Sequence, residues 1–401
     1  MKPGTIAALC AILFASTAAA EPAQTVEPKP PSAEGQTPAF PQQTRAPLQV
    51  SGVKFQVRTV AKGLEFPWGL ALLPDGRMLV TERPGRIRLV TDGKLSEPLE
   101  GPPAVHTQAI SGMLDIAIDP KFAANHLVYW SYVEARATGS GTTVARGRLV
   151  DGEHPALADV QVIYRQVPDL ETTHSNYGGR LLFARDGALF LTLGDRDEMK
   201  WRPLIQQMDN GVGKLVRIRT DGSPAPGDPF LHSKGVRPEI WASGFRNPLG
   251  VALDPRTGEL WLTDVGPRGG DELDHIRRGR NYGWPVIGYG KEYSGQRVGD
   301  GTVKAGYEQP AYYWDPVISP SSLAFYEGAA FPAWKGSVFV TSLSQRHLAR
   351  LALKGDKVVG EERLLADLEE RLRLVKPGPD GSLYLLTDNA EGRILQLVPA
   401  E

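Results

Sequence analysis

From about residue 50 onward, one short phrase of polar and apolar positions keeps returning. A turn rich in Pro, Asp and Gly leads into two or three apolar residues and then Thr or Ser. It reads LPDGRMLVTE (73–82), DPKFAANHLVYWS (119–131), ARDGALFLTLGD (184–195), DPRTGELWLTD (254–264), PAWKGSVFVTS (332–342) and GPDGSLYLLTD (378–388). Each copy predicts a tight turn, with Gly available for positive φ in five of the six, followed by a strand of β-branched and aromatic residues. Further strand-like runs follow some copies, as in GRIRLV (85–90), RHLARLAL (346–353) and GRILQL (392–397). Six degenerate copies predict an all-β fold, a six-bladed β-propeller with four strands per blade. The copies are 45 residues apart at the closest (Val338 to Leu383) and 78 at the widest (Leu260 to Val338). Such unequal spacing implies loops of different length over one face. A pair of β-sandwiches is the alternative for the same strand content. Helical periodicity is nearly absent; the best stretch, 360–372, is polar on most faces and reads as a strand and a loop.

Composition narrows the picture. With 401 residues, 41% of them hydrophobic, the chain can bury a substantial core. Lys+Arg 45 against Asp+Glu 46 leaves a net charge of -1 with no long basic run, which argues against nucleic acid or an anionic membrane as partner. Lys2, an apolar stretch over 6–14 and small residues up to Ala20 follow the grammar of a secretory signal peptide, 1–20, and so predict a periplasmic or secreted protein. The sole cysteine, Cys10, lies inside that segment. Its removal leaves no disulfide, thiolate metal site or cysteine nucleophile. No later run reaches the ~18 apolar residues of a membrane span, so no transmembrane segment is expected. Residues 21–48, rich in Pro, Gln, Ala and Thr, read as a flexible, disordered linker, and 49–401 as the propeller.

Several stretches are not strand filler. PEIWASGFRNPLGVALDP (238–255) puts Arg246 and Asn247 in a loop just before a strand. TDVGPRGGDELDHI (263–276) offers the carbonyls of Gly266 and Pro267, then Asp271 and Glu272; GRNYGWPVIGYGKEYSG (279–295) carries Tyr282, Trp284 and Glu292. EERLRLVKPGPDG (369–381) sends Arg371 and Arg373 to one side of an extended segment. Arginines entering strands make a cationic pocket suited to a multiply anionic small molecule, with a bidentate geometry that lysine lacks. Carbonyls and carboxylates without Cys or clustered His suit a hard cation, most naturally Ca2+. Singly, each has a plainer explanation: an arginine at a strand end is usually an ion-paired surface group, and Gly-Pro is usually a turn. THSNYGGRLLFARDGALFLTLGD (173–195) adds His174 and Asn176 before two glycines and Arg180.

The sequence resembles the soluble sugar dehydrogenases that use pyrroloquinoline quinone (PQQ), namely the aldose sugar dehydrogenases and their glucose dehydrogenase relatives. The resemblance runs from about Phe66 to Val398, and its specific part is GPRGGDE followed by NYGWP at this spacing. It implies a six-bladed propeller in which Arg246 and Asn247 contact the quinone and Arg371 and Arg373 bind its carboxylates. The carbonyls of Gly266 and Pro267 would then hold a Ca2+ that polarises the reactive carbonyl. Glu272, Tyr282, Gly288 and Glu292 match a second, structural Ca2+ site, and Trp314 a wall of the pocket. The implied reaction is oxidation of an aldose sugar or related aldehyde at C1 by hydride transfer to PQQ, with electrons passing to an unknown acceptor.

The match departs at the base. The family places a catalytic histidine four residues before the arginine that opens the strand, and here that position is Asn176, with the supporting Asp195 in register. An amide does not take up a proton near neutrality, whereas an imidazole does. Either His174 reaches the same point, with Asn176 and Asp195 beside it, or the base has been lost; the first is the expectation here. A family Lys is replaced by Ser344, near Arg346, and a family Gln by Ile110, near Gln108. DVG (264–266) also stands where relatives carry a different pair before the glycine. Two other functions suit the same pattern: a non-catalytic cofactor- or sugar-binding propeller, and a Ca2+-dependent lactone hydrolase, which would need side-chain carboxylates converging on a central metal.

Overall fold

In the computed structural model, the described residues are Met1, 24–171 and 175–400. They form six four-stranded sheets, all antiparallel. Five blades take their strands consecutively. The sixth combines Leu372–Pro377, Leu383–Thr387 and Gly392–Pro399 with Phe55–Leu64 from the other end of the chain as its outermost strand, so the ring closes through strand pairing. The recurring phrase is the turn into the second strand of each blade: Met78–Glu82, Leu127–Arg136, Leu189–Leu193, Leu260–Asp264, Val338–Ser342 and Leu383–Thr387. Met78–Glu82, Leu189–Leu193, Leu260–Asp264 and Val338–Ser342 are buried at every position, because a neighbouring blade covers each face.

The first strands of blades one to six, Pro67–Leu72, Met113–Ile118, Gly178–Phe183, Pro248–Leu253, Pro320–Phe325 and Leu372–Pro377, surround the axis. In every blade the pairing of first and second strand slips near its start. Such bulges re-aim side chains. The residues within them include Trp68, Asp115, Arg180, Leu249, Ser321 and Arg373.

The bulge also explains the Thr or Ser that ends the phrase. Thr81 Oγ1 accepts from Gly69 N at 2.8 Å and donates to Leu114 O in the next blade. Ser131 Oγ accepts from Asp115 N and donates to Gly179 O; Thr192 Oγ1 accepts from Arg180 N. In these three blades the hydroxyl takes up a main-chain N–H in the bulge, and in the first two it also ties one blade to the next.

Where composition predicted a flexible linker, the described part, 24–48, lies packed against blades four and five. Ala33, Gln43 and Ala46 are buried, and Ala46 joins the core around Trp261 and Trp314. Glu27 pairs with Arg363 at 2.9 Å. The segment is held mainly through main-chain groups and amide side chains, which a count of large apolar residues does not register. Apart from Met1, the expected signal peptide falls outside the described residues, among which no helix is long and apolar enough to cross a membrane. The 360–372 stretch is the end of strand Lys357–Leu364, a short 3-10 turn Ala366–Leu368 and the start of the next strand.

Candidate active site

At the mouth where the first strands begin lies a cavity of about 170 Å3. Trp68, Arg83, Asn176, Asn247, Arg371 and Arg373 line it, with Leu114, Leu249 and Leu343 among the apolar walls. Arg371 and Arg373 both reach Asp388, at 2.9 and 3.0 Å. Burial would raise the Asp388 carboxyl, but the two guanidiniums hold it below the usual range. Arg83 is pushed down by burial and by those same two arginines. The excess positive charge is directed into a partly enclosed space, and Arg373 Nε is buried with no hydrogen-bond partner among the described residues.

Arg246 and Asn247 are adjacent but diverge. Asp264 fixes both backbones, accepting from Arg246 N at 2.7 Å and Asn247 N at 2.6 Å. Asn247 lines the arginine cavity, where its Oδ1 accepts from Gly178 N. Arg246 instead lines a neighbouring pocket of about 20 Å3 together with Asp264, Gly266, Pro267, Glu272, Trp284 and Gly288. Its Nη1 donates to Val265 O and Gly266 O, and its Nη2 meets Asp197 at 2.9 Å.

This small pocket has the donor chemistry of a hard cation. Asp264 pairs in register with Glu272, and Asp274 lies two residues further along the same strand face. Burial and the neighbouring carboxylates push Glu272 and Asp274 well above the usual range, and burial pushes Asp264 up to about 7. Both Asp274 oxygens are buried without a partner among the described residues. Asp274 itself lies behind the pocket lining, whose other donors are bare main chain: the Gly269 and Gly270 carbonyls come so close to Gly266 that a Cβ there would meet them at 2.7 and 2.5 Å. Among the described residues no three His, Cys, Asp or Glu side chains are disposed as a ready-made metal site. A cation here would therefore rest on carbonyls as well as carboxylates.

The sequence divided Gly266 and Pro267 from Glu272 and Gly288 as two sites; the structure brings all four to one pocket. Tyr282 and Glu292 do not line it. The Tyr282 ring stacks on Phe245 and its hydroxyl donates to His275 O, while Glu292 forms a bidentate pair with Arg202. Trp314 is no wall of the arginine cavity: it is buried in the core between blades four and five, edge-on to Tyr312. Arg83 and Trp68 went unrecognised in the sequence. Arg83 directly follows the first phrase's strand, and that position was its only signal.

Asn176 sits on the cavity wall with φ of 58°, a left-handed conformation that Asn tolerates better than most residues. Its Nδ2 donates to Asp195 Oδ1 at 2.9 Å, and Trp284 Nε1 donates to Asp195 Oδ2 at 2.8 Å. Burial raises the Asp195 carboxyl, against the opposing pull of Arg246. One buried carboxylate thus joins the arginine cavity to the small pocket. His174 lies outside the described residues. Ser344 Oγ donates to Val317 O and Arg346 donates to Glu369 O; neither lines the cavity, though Ile110 does.

The ring and its arginine-lined mouth are those of a propeller enzyme. The chain belongs to the glucose/sorbosone dehydrogenase family, whose description matches residues 64–396. It is 40% identical over 348 residues to the aldose sugar dehydrogenase YliI of Escherichia coli (strain K12), covering 86% of this chain and 92% of that protein. A crystal structure of a glucose dehydrogenase is 45% identical with a TM-score of 0.82, over 86% of this chain and 100% of the other. The PQQ-bound form of aldose sugar dehydrogenase from Streptomyces coelicolor is 30% identical with a TM-score of 0.70, over 86% and 98% of the two chains.

Proposed function

We propose that this protein is an exported dehydrogenase that oxidises aldose sugars or related aldehydes at C1, using PQQ and Ca2+. The observation that carries the reading is the convergence of Arg83, Arg371 and Arg373 on one cavity beside a carbonyl- and carboxylate-lined pocket. The residues fit both groups. The orphaned Arg373 Nε and the excess of guanidinium over carboxylate suit a planar polyanion, and the Asp264 and Glu272 carboxylates with the carbonyls near Gly266 suit a divalent cation. The relative from Streptomyces coelicolor, whose structure has PQQ bound, supports the choice of quinone.

When bound, PQQ supplies a hydride-accepting quinone and Ca2+ the Lewis acidity that polarises it. The chain does the rest. Arg371, Arg373 and Arg83 bind carboxylates, Asn247 offers an amide at the cavity wall, and Trp68 gives an apolar face. Arg246 sits where it can stabilise developing negative charge beside the cation pocket. Asp195 holds Asn176 and Trp284 in place, and His174 takes the proton from the anomeric hydroxyl. Export rests on the signal grammar of residues 1–20.

The second reading, a binding propeller without turnover, is favoured by one observation: Asn176 occupies the place beside Asp195 where a base would be oriented. Purified protein mixed with PQQ, Ca2+, a redox dye and a panel of aldoses and aldehydes separates the two. Dye reduction that needs both PQQ and Ca2+ is the expected result. Tight binding of PQQ or of a sugar with no dye reduction would establish the binding propeller, and binding of neither would overturn both readings.

A further inference from the structure

Residues 24–48 lie before the family match and pack against the back of the cation pocket. The pocket is built from two glycine-rich turns, 266–270 and 288–290. The first turn is tied to the residue just after the second: Arg268 N donates to Lys291 O at 3.1 Å, and Lys291 N returns to Arg268 O at 2.8 Å. The approach is so tight that a Cβ on Gly290 would lie 2.4 Å from Gly269 O, and one on Gly270 2.5 Å from Gly290 N. Two turns packed like this have their carbonyl directions set by whatever fixes their outer sides.

The N-terminal segment touches both. Gln36 Nε2 donates to Gly290 O at 3.0 Å. The Tyr289 hydroxyl lies 2.9 Å from Gln43 Oε1 and 2.6 Å from Gln309 Oε1, its one proton shared between the two acceptors, and Gln43 is itself pinned by its Nε2 on Pro310 O and by Ala39 N on its Oε1. The 266–270 turn is reached through Asp315. Ser32 N and Ala33 N donate to the two Asp315 oxygens at 2.6 and 3.0 Å, and Arg45 donates to Asp315 O at 2.8 Å. The Asp315 carboxylate in turn sits where a Cβ on Gly269 would be, 2.8 Å away.

We propose that residues 24–48 form a strap that presets the main-chain carbonyls of the cation pocket, with Gln36 and Gln43 as its positioning residues. Cation affinity then depends on a segment outside the family fold. This rests on the cation reading given above and adds to it what holds the site in shape. Partners that orient the groups around a metal without touching it are typically worth ~10–100-fold in affinity.

The test is Ca2+ binding itself, followed by titration calorimetry and by the fluorescence of Trp284 in the pocket wall. The full chain is compared with Gln36→Ala, Gln43→Ala and a variant lacking 24–48, with far-UV circular dichroism to establish that each retains its strands. The expected result is Ca2+ binding weakened ~10–100-fold in Gln43→Ala and in the deletion, and by less in Gln36→Ala. If the deletion does not fold, the two point variants carry the test. Folded variants that bind Ca2+ as tightly as the full chain would overturn the strap and leave the cation site standing. A full chain that binds no Ca2+ would overturn both.

Discussion

At the scale of single residues the decisive pair is His174 and Asn176. The structure shows what Asp195 does for its neighbour: it accepts from Asn176 Nδ2 and orients the amide against the cavity. An imidazole in place of that amide would be held the same way, with a proton-accepting nitrogen free. If His174 is the working base, His174→Ala lowers kcat by ~10²–10⁴-fold, the usual worth of general-base catalysis. In an Asn176→His background the same His174→Ala change should cost little, because the base would already be supplied beside Asp195. Steady-state kinetics with dye reduction on the two single variants and the double measures this. A silent His174→Ala in the otherwise unchanged chain would remove His174 from the mechanism.

At the scale of elements, the repeated phrase carries a stability prediction. Thr81 and Thr263 occupy equivalent places at the ends of second strands, yet their hydroxyls differ. Thr81 Oγ1 serves Gly69 N and Leu114 O, whereas Thr263 Oγ1 is buried with no partner among the described residues. Thr81→Val keeps the shape but strands two buried main-chain groups, at ~1–3 kcal/mol each. Thr263→Val removes a hydroxyl that already lacks a partner and should be neutral or stabilising. Urea midpoints of the two variants check this, and equal losses would show that the hydrogen bonds are not what the phrase encodes. The same phrase made the blades legible, because second strands buried on both faces must be apolar throughout. Outer strands such as Lys94–Leu95 and Tyr312–Trp314 are too short for any periodicity to show. Arg246, Arg371 and Arg373 were visible in the sequence as charges near strand starts, while their grouping depends on where each side chain turns: Arg373 lies within a bulge, whereas the adjacent Arg246 and Asn247 precede theirs and serve different pockets. The 24–48 strap was illegible because its grip is polar and its partners, such as Asp315 and Tyr289, lie hundreds of residues away.

At the scale of the whole molecule, one side chain closes the axis. Arg180, on the first strand of blade three, donates from Nε to Leu249 O in blade four at 2.8 Å and from Nη2 to Ser321 O in blade five at 3.1 Å. Its Nη1 meets Asp115 in blade two at 3.1 Å, and its guanidinium lies 4.0 Å over the Trp68 ring of blade one. On the far side opens a wider chamber of about 770 Å3 lined by the other ends of the first strands. The arginine lines that chamber and couples five blades at the centre, while strand Phe55–Leu64 closes the ring at the rim. Burial disfavours its charge, and Asp115 offsets part of that cost. Removing one partner of such a pair leaves the other charge buried and alone, so Arg180→Met should lose ~3–5 kcal/mol of unfolding free energy. Asp115→Asn together with Arg180→Met should recover part of this, giving a coupling of ~0.5–3 kcal/mol in the double-mutant cycle. Urea unfolding of the four proteins measures it. Additive losses would mean that Arg180 acts through its carbonyl and aromatic contacts alone, and that the blades do not meet through charge.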